Sequence, residues 1–174
     1  MNIRPYKKGD ESQILWLINN TWKIAYSHIF PSEVFKMRDE GIGERIKNFH
    51  EKLTKNNQIC FVAEEDLKIV GVLVGILNSN IKEYDEKGYA RINILYIDKD
   101  FQHLGLGRKL VGEFISVLKQ KDIKNYVVGV LKENKQGRMA YEKWGGKLTS
   151  YEESFEVFDV GYDEVFYEYE VKWK

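Results

Sequence analysis

The clearest pattern of apolar and polar positions lies between residues 92 and 119. A dense apolar run at 92–97 is short enough to be a buried central strand, and a polar turn follows it. Apolar residues then recur at every fourth position over 106–118, which is the spacing of one buried helical face. A glycine-containing loop joins the two. This segment therefore predicts a strand, a glycine loop and a helix in that order.

The N-terminal half of the chain predicts five further elements. They are a strand at 2–6, a helix from 11 to about 26, a helix at 32–49, and a hairpin of two strands at 59–64 and 69–77. Asp10 is placed to cap the first helix, and Ser32 the second. Gly41 and Gly43 are points at which the second helix breaks, because glycine is a poor helix former.

The C-terminal half predicts a crossover unit and a final hairpin. Residues 78–89 are polar and contain Gly88, so they predict a loop. Residues 126–131 predict a strand that runs parallel to the central strand, because a helix lies between the two in sequence. The remaining elements are a short helix at 134–144 and two strands on either side of Gly161, over residues 147–173.

The overall composition predicts a single α/β (α+β) domain over residues 1–174, since no repeat, linker or low-complexity segment divides the chain. Lys plus Arg (27) equals Asp plus Glu (27), so no net charge favours nucleic acid or a membrane surface. No apolar stretch approaches the roughly 20 residues of a membrane span, and no signal peptide is evident. We therefore expect a cytoplasmic protein with neither nucleic acid nor membrane as a partner.

The cysteine and histidine content argues against metal and thiol chemistry. Cys60 is the only cysteine and lies in an apolar run, which predicts a small buried hydrophobe rather than a nucleophile. It can form no intramolecular disulfide, and this fits a reducing compartment. The histidines at 28, 50 and 103 are too scattered for a metal-site pattern, and no HExxH motif occurs. We expect no metal.

The loop between the central strand and its helix has the composition of an anion site. The first backbone N–H groups of a helix have no partner inside it, and the helix dipole makes that end positive. Gly105 and Gly107 remove side chains that would keep a phosphate away. A dinucleotide fingerprint would need glycine where Leu110 stands, and no Gly-Lys-Ser/Thr triplet occurs. The loop alone leaves an anion site and a tight strand-to-helix turn equally open.

Two motifs together resemble the GNAT superfamily of N-acetyltransferases. Gln102-x-x-Gly105-x-Gly107 is similar to the family's Q/R-x-x-G-x-G/A signature, whose loop holds the pyrophosphate of acetyl-CoA. The family's second motif, N-x-x-A/G-x-x-x-Y-x-x-x-G, is matched at Asn134, Gly137, Tyr141 and Gly145. The resemblance implies a mixed, mostly antiparallel central sheet flanked by helices. It also implies a strand–glycine loop–helix–strand core that binds acetyl-CoA.

The resemblance further implies which residues bind acetyl-CoA. The family's central strand carries a bulge, and the backbone around Leu95, Tyr96 and Ile97 would pair with the pantetheine arm and polarise the acetyl carbonyl. Besides these, the implied set comprises Gln102, His103, Leu104, Gly105, Leu106, Gly107, Arg108, Lys109, Asn134, Gly137 and Tyr141. For Arg108 and Lys109, a phosphate contact and a solvated helix surface both stay open.

Four residues bear on the implied chemistry. Tyr141 would donate a proton to the leaving sulfur, because a phenol with a pKa of about 10 stays protonated at neutral pH; a core aromatic is the alternative. Asn134 would bond the pantetheine amide, cap its helix, or do both. Many relatives carry a glutamate base where this chain has Asn93, and an amide cannot take a proton at neutral pH. Asn93 would at most orient a water, and His28 is the histidine best placed to act as base.

The acceptor side of the implied site involves aromatic and acidic residues. Trp22, Tyr26 and His28 would line the acceptor pocket, and the two aromatic residues would otherwise pack the first two helices. The tail is acidic, with Glu152, Glu153, Glu156, Asp159, Asp163, Glu164, Glu168 and Glu170. An acidic rim would favour a small polycationic amine, such as a polyamine; a solvated strand face is the alternative.

The sequence therefore predicts an acetyl-CoA-dependent N-acetyltransferase. It would move an acetyl group to a primary amine of a small molecule by direct attack in a ternary complex, as a monomer or homodimer. The alternative is a catalytically weak GNAT-fold module that binds acyl-CoA as a sensor or partner subunit. Asn93 favours that alternative and Tyr141 opposes it.

Overall fold

The computed structural model describes residues 1–55 and 58–172, so Trp173, placed in the last predicted strand, lies outside the described residues. In chain order the elements are β1 (Asn2–Pro5), α1 (Glu11–Tyr26), α2 (Ser32–Glu40), α3 (Ile42–Lys55), β2 (Gln58–Glu65), β3 (Lys68–Ile76), α4 (Lys82–Asp85), β4 (Ala90–Ile97), α5 (Leu106–Gln120), β5 (Asn125–Leu131), α6 (Lys135–Lys143), β6 (Lys147–Val157) and β7 (Val160–Glu170). A 3₁₀ turn, Lys99–Phe101, precedes the glycine loop.

Over the described residues, seven strands form one open sheet in the order β1-β2-β3-β4-β5-β7-β6. Every neighbouring pair is antiparallel except β4 and β5, which are parallel and joined through α5. The predicted mixed, mostly antiparallel sheet flanked by helices is confirmed. The predicted crossover of strand, glycine loop, helix and strand forms its centre.

Helices cover both faces of this sheet. On one face α5 buries its apolar stripe, including Leu110 and Phe114, against β2, β3 and β4. On the other face α1 and α3 pack through Ile14, Leu17 and Phe49. The ring of Phe114 lies so close to β3 that a Cβ at Gly75 would be 2.2 Å from its Cε2 atom. Glycine at this position therefore lets α5 approach the sheet.

Two irregularities in β4 open the sheet at its centre. Val74 pairs with Ile94 and Gly75 with Ile92, so Asn93 is an extra residue without a partner in β3 and forms a β-bulge. On the other side, β4 and β5 share only three residue pairs, the last of which joins Ile92 to Val128. Beyond that pair the two strands are no longer paired. A gap therefore begins beside the bulge.

Three local predictions differ from the structure. Asp10 stands at the N-cap of α1 without capping it, because its carboxylate instead accepts hydrogen bonds from Arg4 (2.7 and 3.0 Å) and from the Lys7 N–H (2.9 Å). Ser32 likewise lies inside α2, which begins after Pro31. The predicted loop at 78–89 contains the short helix α4, which buries Tyr84.

The turn of the last hairpin also lies elsewhere than predicted. Phe158 and Asp159 form it with positive φ values of 51° and 62°, whereas Gly161 lies within β7. The glycine misled the prediction because β7 extends further toward its N-terminus than the alternating pattern shows. The break predicted at Gly41 is confirmed, since Gly41 separates α2 from α3, but the break predicted at Gly43 is wrong because Gly43 lies inside α3.

Candidate active site

A cavity of about 930 Å³ occupies the gap between β4 and β5. One end reaches the glycine loop and the first turn of α5, where Gly105, Leu106 and Arg108 line it. The other end reaches α1, where Trp22 and Tyr26 line it. The cavity therefore connects the predicted phosphate site to the predicted acceptor pocket.

The glycine loop turns sharply from β4 into α5. His103 and Gly105 adopt positive φ values of 62° and 77°, and Gly105 is the N-cap of α5. Gln102 fixes the start of the loop, because its Nε2 donates to the Ile97 carbonyl (3.1 Å). The first-turn N–H groups of α5 have no carbonyl partner within the helix. Together with the positive end of the helix dipole, they fit the pyrophosphate of a coenzyme A.

Packing also requires glycine at position 107, in addition to the access that a phosphate needs to the start of α5. A Cβ there would lie 2.8 Å from the Cη2 atom of Trp144, which follows α6. Arg108 lines the cavity and its Nη2 also donates to the Lys143 carbonyl (3.4 Å). The glycine loop and the end of α6 are thus in direct contact.

Two predicted cofactor residues do not line the cavity. Leu104 is 61% exposed, and Lys109 is exposed on the outer side of α5. The other predicted members of the cofactor set do line it: Leu95, Tyr96, Ile97, Gln102, His103, Gly105, Leu106, Gly107, Arg108, Asn134, Gly137 and Tyr141.

Asn134 holds the start of α6 and faces the cavity at the same time. Its Oδ1 accepts from the Gly137 N–H (2.9 Å), which is the expected cap, and its Nδ2 lies 3.4 Å from the Tyr26 hydroxyl. A Cβ on Gly137 would lie 2.8 Å from that Nδ2 and 3.1 Å from Val130. Glycine at 137 therefore lets the Asn134 side chain lie flat against the helix.

Tyr141, on α6, lines the cavity. Its ring packs edge-on against Trp144 at 5.9 Å, and its backbone carbonyl accepts from the Tyr169 hydroxyl (2.8 Å). Among the described residues, none hydrogen-bonds the Tyr141 hydroxyl itself. Burial raises the pKa of this phenol, so it keeps its proton at neutral pH. The arrangement suits a proton donor.

The predicted acceptor end of the cavity is an aromatic wall held by hydrogen bonds. Trp22 Nε1, on α1, donates to the Tyr96 hydroxyl of β4 (2.6 Å). One face of Trp22 stacks on Phe30 at 5.3 Å, and the Arg38 guanidinium lies 3.9 Å from its ring centroid. Trp22 and Tyr26 thus both line the cavity and pack the helices, so the two alternatives hold together.

The two candidates for a base are placed differently. Asn93, the bulge residue, is exposed and lines the cavity. His28 is exposed on the turn after α1 and is not part of the lining. No imidazole from this turn therefore faces the gap.

Glu164, predicted only as one member of an acidic rim, lines the cavity. It comes from β7, opposite Leu131 of β5, and its carboxyl carbon lies 2.7 Å from where a Cβ on Gly129 would be. Its Oε2 is 3.4 Å from Arg91 Nη2. Burial raises the pKa of Glu164, and Arg91 opposes that shift. An isolated glycine in the strand run 126–131 was the available signal, since such a glycine often marks a close approach.

The acidic tail divides between the two faces of its hairpin. Glu152 and Asp163 lie near Lys132 (2.9 and 3.8 Å), on one face. Glu153 and Glu164 are directly opposite each other in the β6–β7 register and share the other face with Phe155 and Tyr162. By strand alternation Glu156 lies on the Glu152 face. Only part of the predicted rim therefore shares a face with the acceptor end.

Several other features of the described residues bear on the chemistry. No group of three or more His, Cys, Asp and Glu side chains there is arranged to hold a metal ion. Cys60 is buried, and burial raises the pKa of its thiol to about 12, as expected for a packed hydrophobe. In the same part of the chain, no helix combines the length and the apolar character needed to cross a membrane.

Comparisons with known proteins agree with the observed fold. The chain is similar to the PaiA N-acetyltransferase of Thermoplasma acidophilum, solved in complex with coenzyme A (20% identity, TM-score 0.74, 98% of this chain and 99% of that one). It is also similar to an N-acetyltransferase of Staphylococcus aureus Mu50 (24% identity, TM-score 0.73, 98% of both chains). A third similar structure is the ribosomal-protein-alanine N-acetyltransferase of Brucella melitensis (15% identity, TM-score 0.68, 98% and 99%).

These structural likenesses, all below 25% identity, show the fold. No curated protein sequence matches the chain significantly. The family model "Acetyltransferase (GNAT) family" matches residues 17–146, which is well over half of the chain and includes both motifs. The chain therefore belongs to the GNAT family of acetyltransferases.

Proposed function

We propose that the protein transfers an acetyl group from acetyl-CoA to a primary amine of a small molecule, with both substrates bound in one ternary complex. The observation that carries this proposal is the continuous cavity between β4 and β5. It joins the positive end of α5 to the aromatic wall of Trp22, Tyr26 and Tyr96, so a donor and an acceptor can meet inside it.

The donor half would hold acetyl-CoA largely through backbone groups. The first-turn N–H groups of α5 bind the pyrophosphate, with Gly105 and Gly107 giving it access. Beyond Ile92, the edge of β4 that faces β5 is unpaired, and this backbone and the free Nδ2 hydrogen of Asn134 bind the pantetheine arm. When bound, acetyl-CoA supplies the thioester carbonyl, which backbone N–H groups near the bulge polarise.

Tyr141 acts as the general acid at the junction of the two halves. Its hydroxyl has no competing partner among the described residues, and burial keeps it protonated by raising its pKa. It donates its proton to the departing sulfur, which would otherwise leave as a thiolate.

The favoured acceptor is a small polycationic amine such as spermidine. Glu153 and Glu164 lie side by side on one face of the hairpin, and Tyr162 on the same face packs against Tyr26 and Val34 of α1 and α2. Trp22, Tyr26 and Phe155 line the same end and offer aromatic faces to alkyl chains and ammonium groups. Carboxylates beside aromatic rings suit a flexible chain that carries more than one positive charge.

The test is thiol release from acetyl-CoA with spermidine, n-butylamine and L-glutamate, with mass spectrometry of the products. We expect monoacetylated spermidine, formed faster than acetylated n-butylamine, and no reaction of L-glutamate. Binding of acetyl-CoA without thiol release for any amine would reject the proposal in favour of a binding module. Preferential acetylation of L-glutamate would reject the polycationic acceptor alone.

A further inference from the structure

We propose that Glu164 is the general base of this reaction and takes the proton from the ammonium group of the acceptor. The proposal rests on the proposed function. In this role Glu164 replaces a carboxylate that β4 lacks, because the bulge position carries Asn93. A base is required because an ammonium nitrogen has no lone pair with which to attack the thioester.

The position of Glu164 follows from the strand register. The last pair between β4 and β5 joins Ile92 to Val128, so the next residues, Asn93 and Gly129, stand at the apex of the gap. The carboxyl carbon of Glu164 lies 2.7 Å from the Cβ position of Gly129. The Glu164 carboxylate thus reaches from β7 over β5 to the apex of the gap. A glutamate at position 93 of β4 would place its carboxylate at the same apex.

Glycine at 129 is what makes this reach sterically feasible. A side chain at this position would also meet Glu164 Oε1 at 2.8 Å and the Phe166 ring at 2.9 Å. Its φ is not in the left-handed region, so backbone conformation does not demand glycine here. The space above Gly129 is filled by the Glu164 carboxyl group together with the edge of the Phe166 ring.

The surroundings of Glu164 leave it free to accept a proton. Oε2 lies 3.4 Å from Arg91 Nη2, a single long contact, and among the described residues no hydrogen bond is made to Oε1. The charged and titratable groups that act on it from neighbouring elements are Arg91 of β4, Glu153 of β6, Tyr26 of α1 and Tyr141 of α6. Burial and Glu153 favour protonation of Glu164 and Arg91 opposes it. Raising the pKa of a carboxylate makes it a stronger base.

No competing base is as well placed among the described residues. Among the residues that the structure describes, Glu164 is the only carboxylate that lines the cavity, and the lining imidazole, His103, belongs to the glycine loop at the donor end. Glu153 accepts from the Tyr151 hydroxyl (2.8 Å) and does not line it. The cavity phenols Tyr26 and Tyr96 have pKa values raised by burial, which makes them donors rather than bases.

The proton and bond changes balance without another reactant. Glu164 takes one proton from R–NH₃⁺, and the freed lone pair forms the C–N bond with the acetyl carbon. The C–S bond breaks, and the sulfur leaves with the proton of Tyr141. The second proton lost by nitrogen returns to the Tyr141 oxygen, and Glu164 releases its proton to water. The products are the amide, coenzyme A and one proton.

The pH profile of kcat/KM for spermidine, with acetyl-CoA saturating, distinguishes this role from a structural one. In the wild type, Glu164 deprotonates the abundant ammonium form, so we expect a plateau above the pKa of the carboxylate. In Glu164→Gln only the small free-amine fraction reacts, so activity rises about tenfold per pH unit toward the pKa of the amine. Near neutral pH the deficit should be about 10²-fold or more.

Two controls accompany the measurement. Glu156→Gln removes one carboxylate from the other face of the same hairpin and should keep the wild-type plateau. Gly129→Ala keeps the carboxylate but occupies its place, and should give the same rising profile as Glu164→Gln. By calorimetry without acetyl-CoA, spermidine should bind Glu164→Gln several-fold more weakly, whereas coenzyme A should bind it as it binds the wild type.

The outcomes separate the two proposals. If the wild type acetylates spermidine, n-butylamine or L-glutamate and Glu164→Gln has the same rate and profile with that amine, Glu164 is not the base although the proposed function stands. A wild-type profile that itself rises tenfold per pH unit leads to the same conclusion. Absence of any turnover by the wild type overturns both. Loss of coenzyme A affinity in Glu164→Gln would show a structural role and also reject the assignment.

Discussion

The donor and acceptor ends of one cavity are built by different means. The donor end consists mainly of backbone from one continuous stretch, in which β4 leads through the glycine loop into α5. The acceptor end consists of side chains from distant elements, such as the Trp22–Tyr96 hydrogen bond between residues 74 positions apart. A backbone site can thus be specified by a short motif, whereas a side-chain pocket needs the complete sheet register.

The largest effect should come from the residue at which the two ends meet. Tyr141→Phe keeps the ring against Trp144 and removes the proton. We expect kcat to fall by about 10²–10⁴-fold, with the affinity for coenzyme A unchanged. Tyr89→Phe is the matched control, because that hydroxyl contacts Glu168 at 3.4 Å outside the cavity. Equal turnover in Tyr141→Phe and wild type would make Tyr141 a core aromatic.

A second prediction contrasts two carboxylates, Glu164 at the acceptor end and Asp10, which holds a structural ion pair with Arg4. Burial opposes ionisation of Asp10, but hydrogen bonds from Arg4 and the Lys7 N–H lower its pKa overall. Its stabilising contribution is therefore present above the ordinary aspartate pKa and is lost as pH falls through the lowered value. Asp10→Asn should cost about 3 kcal/mol of unfolding free energy at neutral pH, measured by urea denaturation.

The contribution of Glu164 to folding stability should depend on pH with the opposite sign. Its raised pKa means that its contribution to stability is complete below the ordinary glutamate pKa and is lost as pH rises through the raised value. Glu164→Gln should then be at least as stable as the wild type at neutral pH. A marked loss of stability in Glu164→Gln would place this residue among the structural ion pairs, beside Asp10.

At the donor end, the effect of a glycine-to-alanine substitution on coenzyme A binding should depend on its position in α5. A Cβ at Gly107 meets Trp144 at 2.8 Å, whereas a Cβ at Gly112 on the same helix meets no atom within 4 Å. We expect Gly107→Ala to weaken coenzyme A binding by roughly 10-fold or more, in keeping with overpacking costs of about 1–3 kcal/mol. Gly112→Ala should leave the affinity unchanged, and equal affinities in the two variants would contradict the loop assignment.

The smallest effect should be that of salt on the acceptor. Partly exposed carboxylates attract cations over about 8–10 Å at moderate ionic strength, so added salt should raise the KM for spermidine a few-fold. The KM for n-butylamine, which carries one charge, should change less. Identical salt dependence of KM for both amines would show that the tail carboxylates are solvated surface groups that do not bind the acceptor.

The donor end, built from local motifs, was predicted from the sequence more completely than the acceptor end, built from distant side chains. Gly105, Gly107, Asn134 and Tyr141 lie within short motifs, and the structure brings them to one cavity. The central strand and the α5 stripe were predicted because an apolar run and a four-residue repeat are both local patterns. The carboxylate of Glu164 was not singled out, since its place depends on the pairing of β7 with β5 across more than thirty residues. His28 was favoured for its nearness in sequence to the bend, but it faces solvent.

The most direct test of the central claim is a two-substrate initial-rate study with acetyl-CoA and spermidine. If both ends of the cavity are filled at once, double-reciprocal plots at several fixed spermidine concentrations intersect. Transfer through a covalent acetyl-enzyme would give parallel lines instead. The buried Cys60 and the absence of any cysteine from the described cavity lining favour the first outcome. Intersecting lines are the predicted result, and parallel lines would contradict direct attack in a ternary complex.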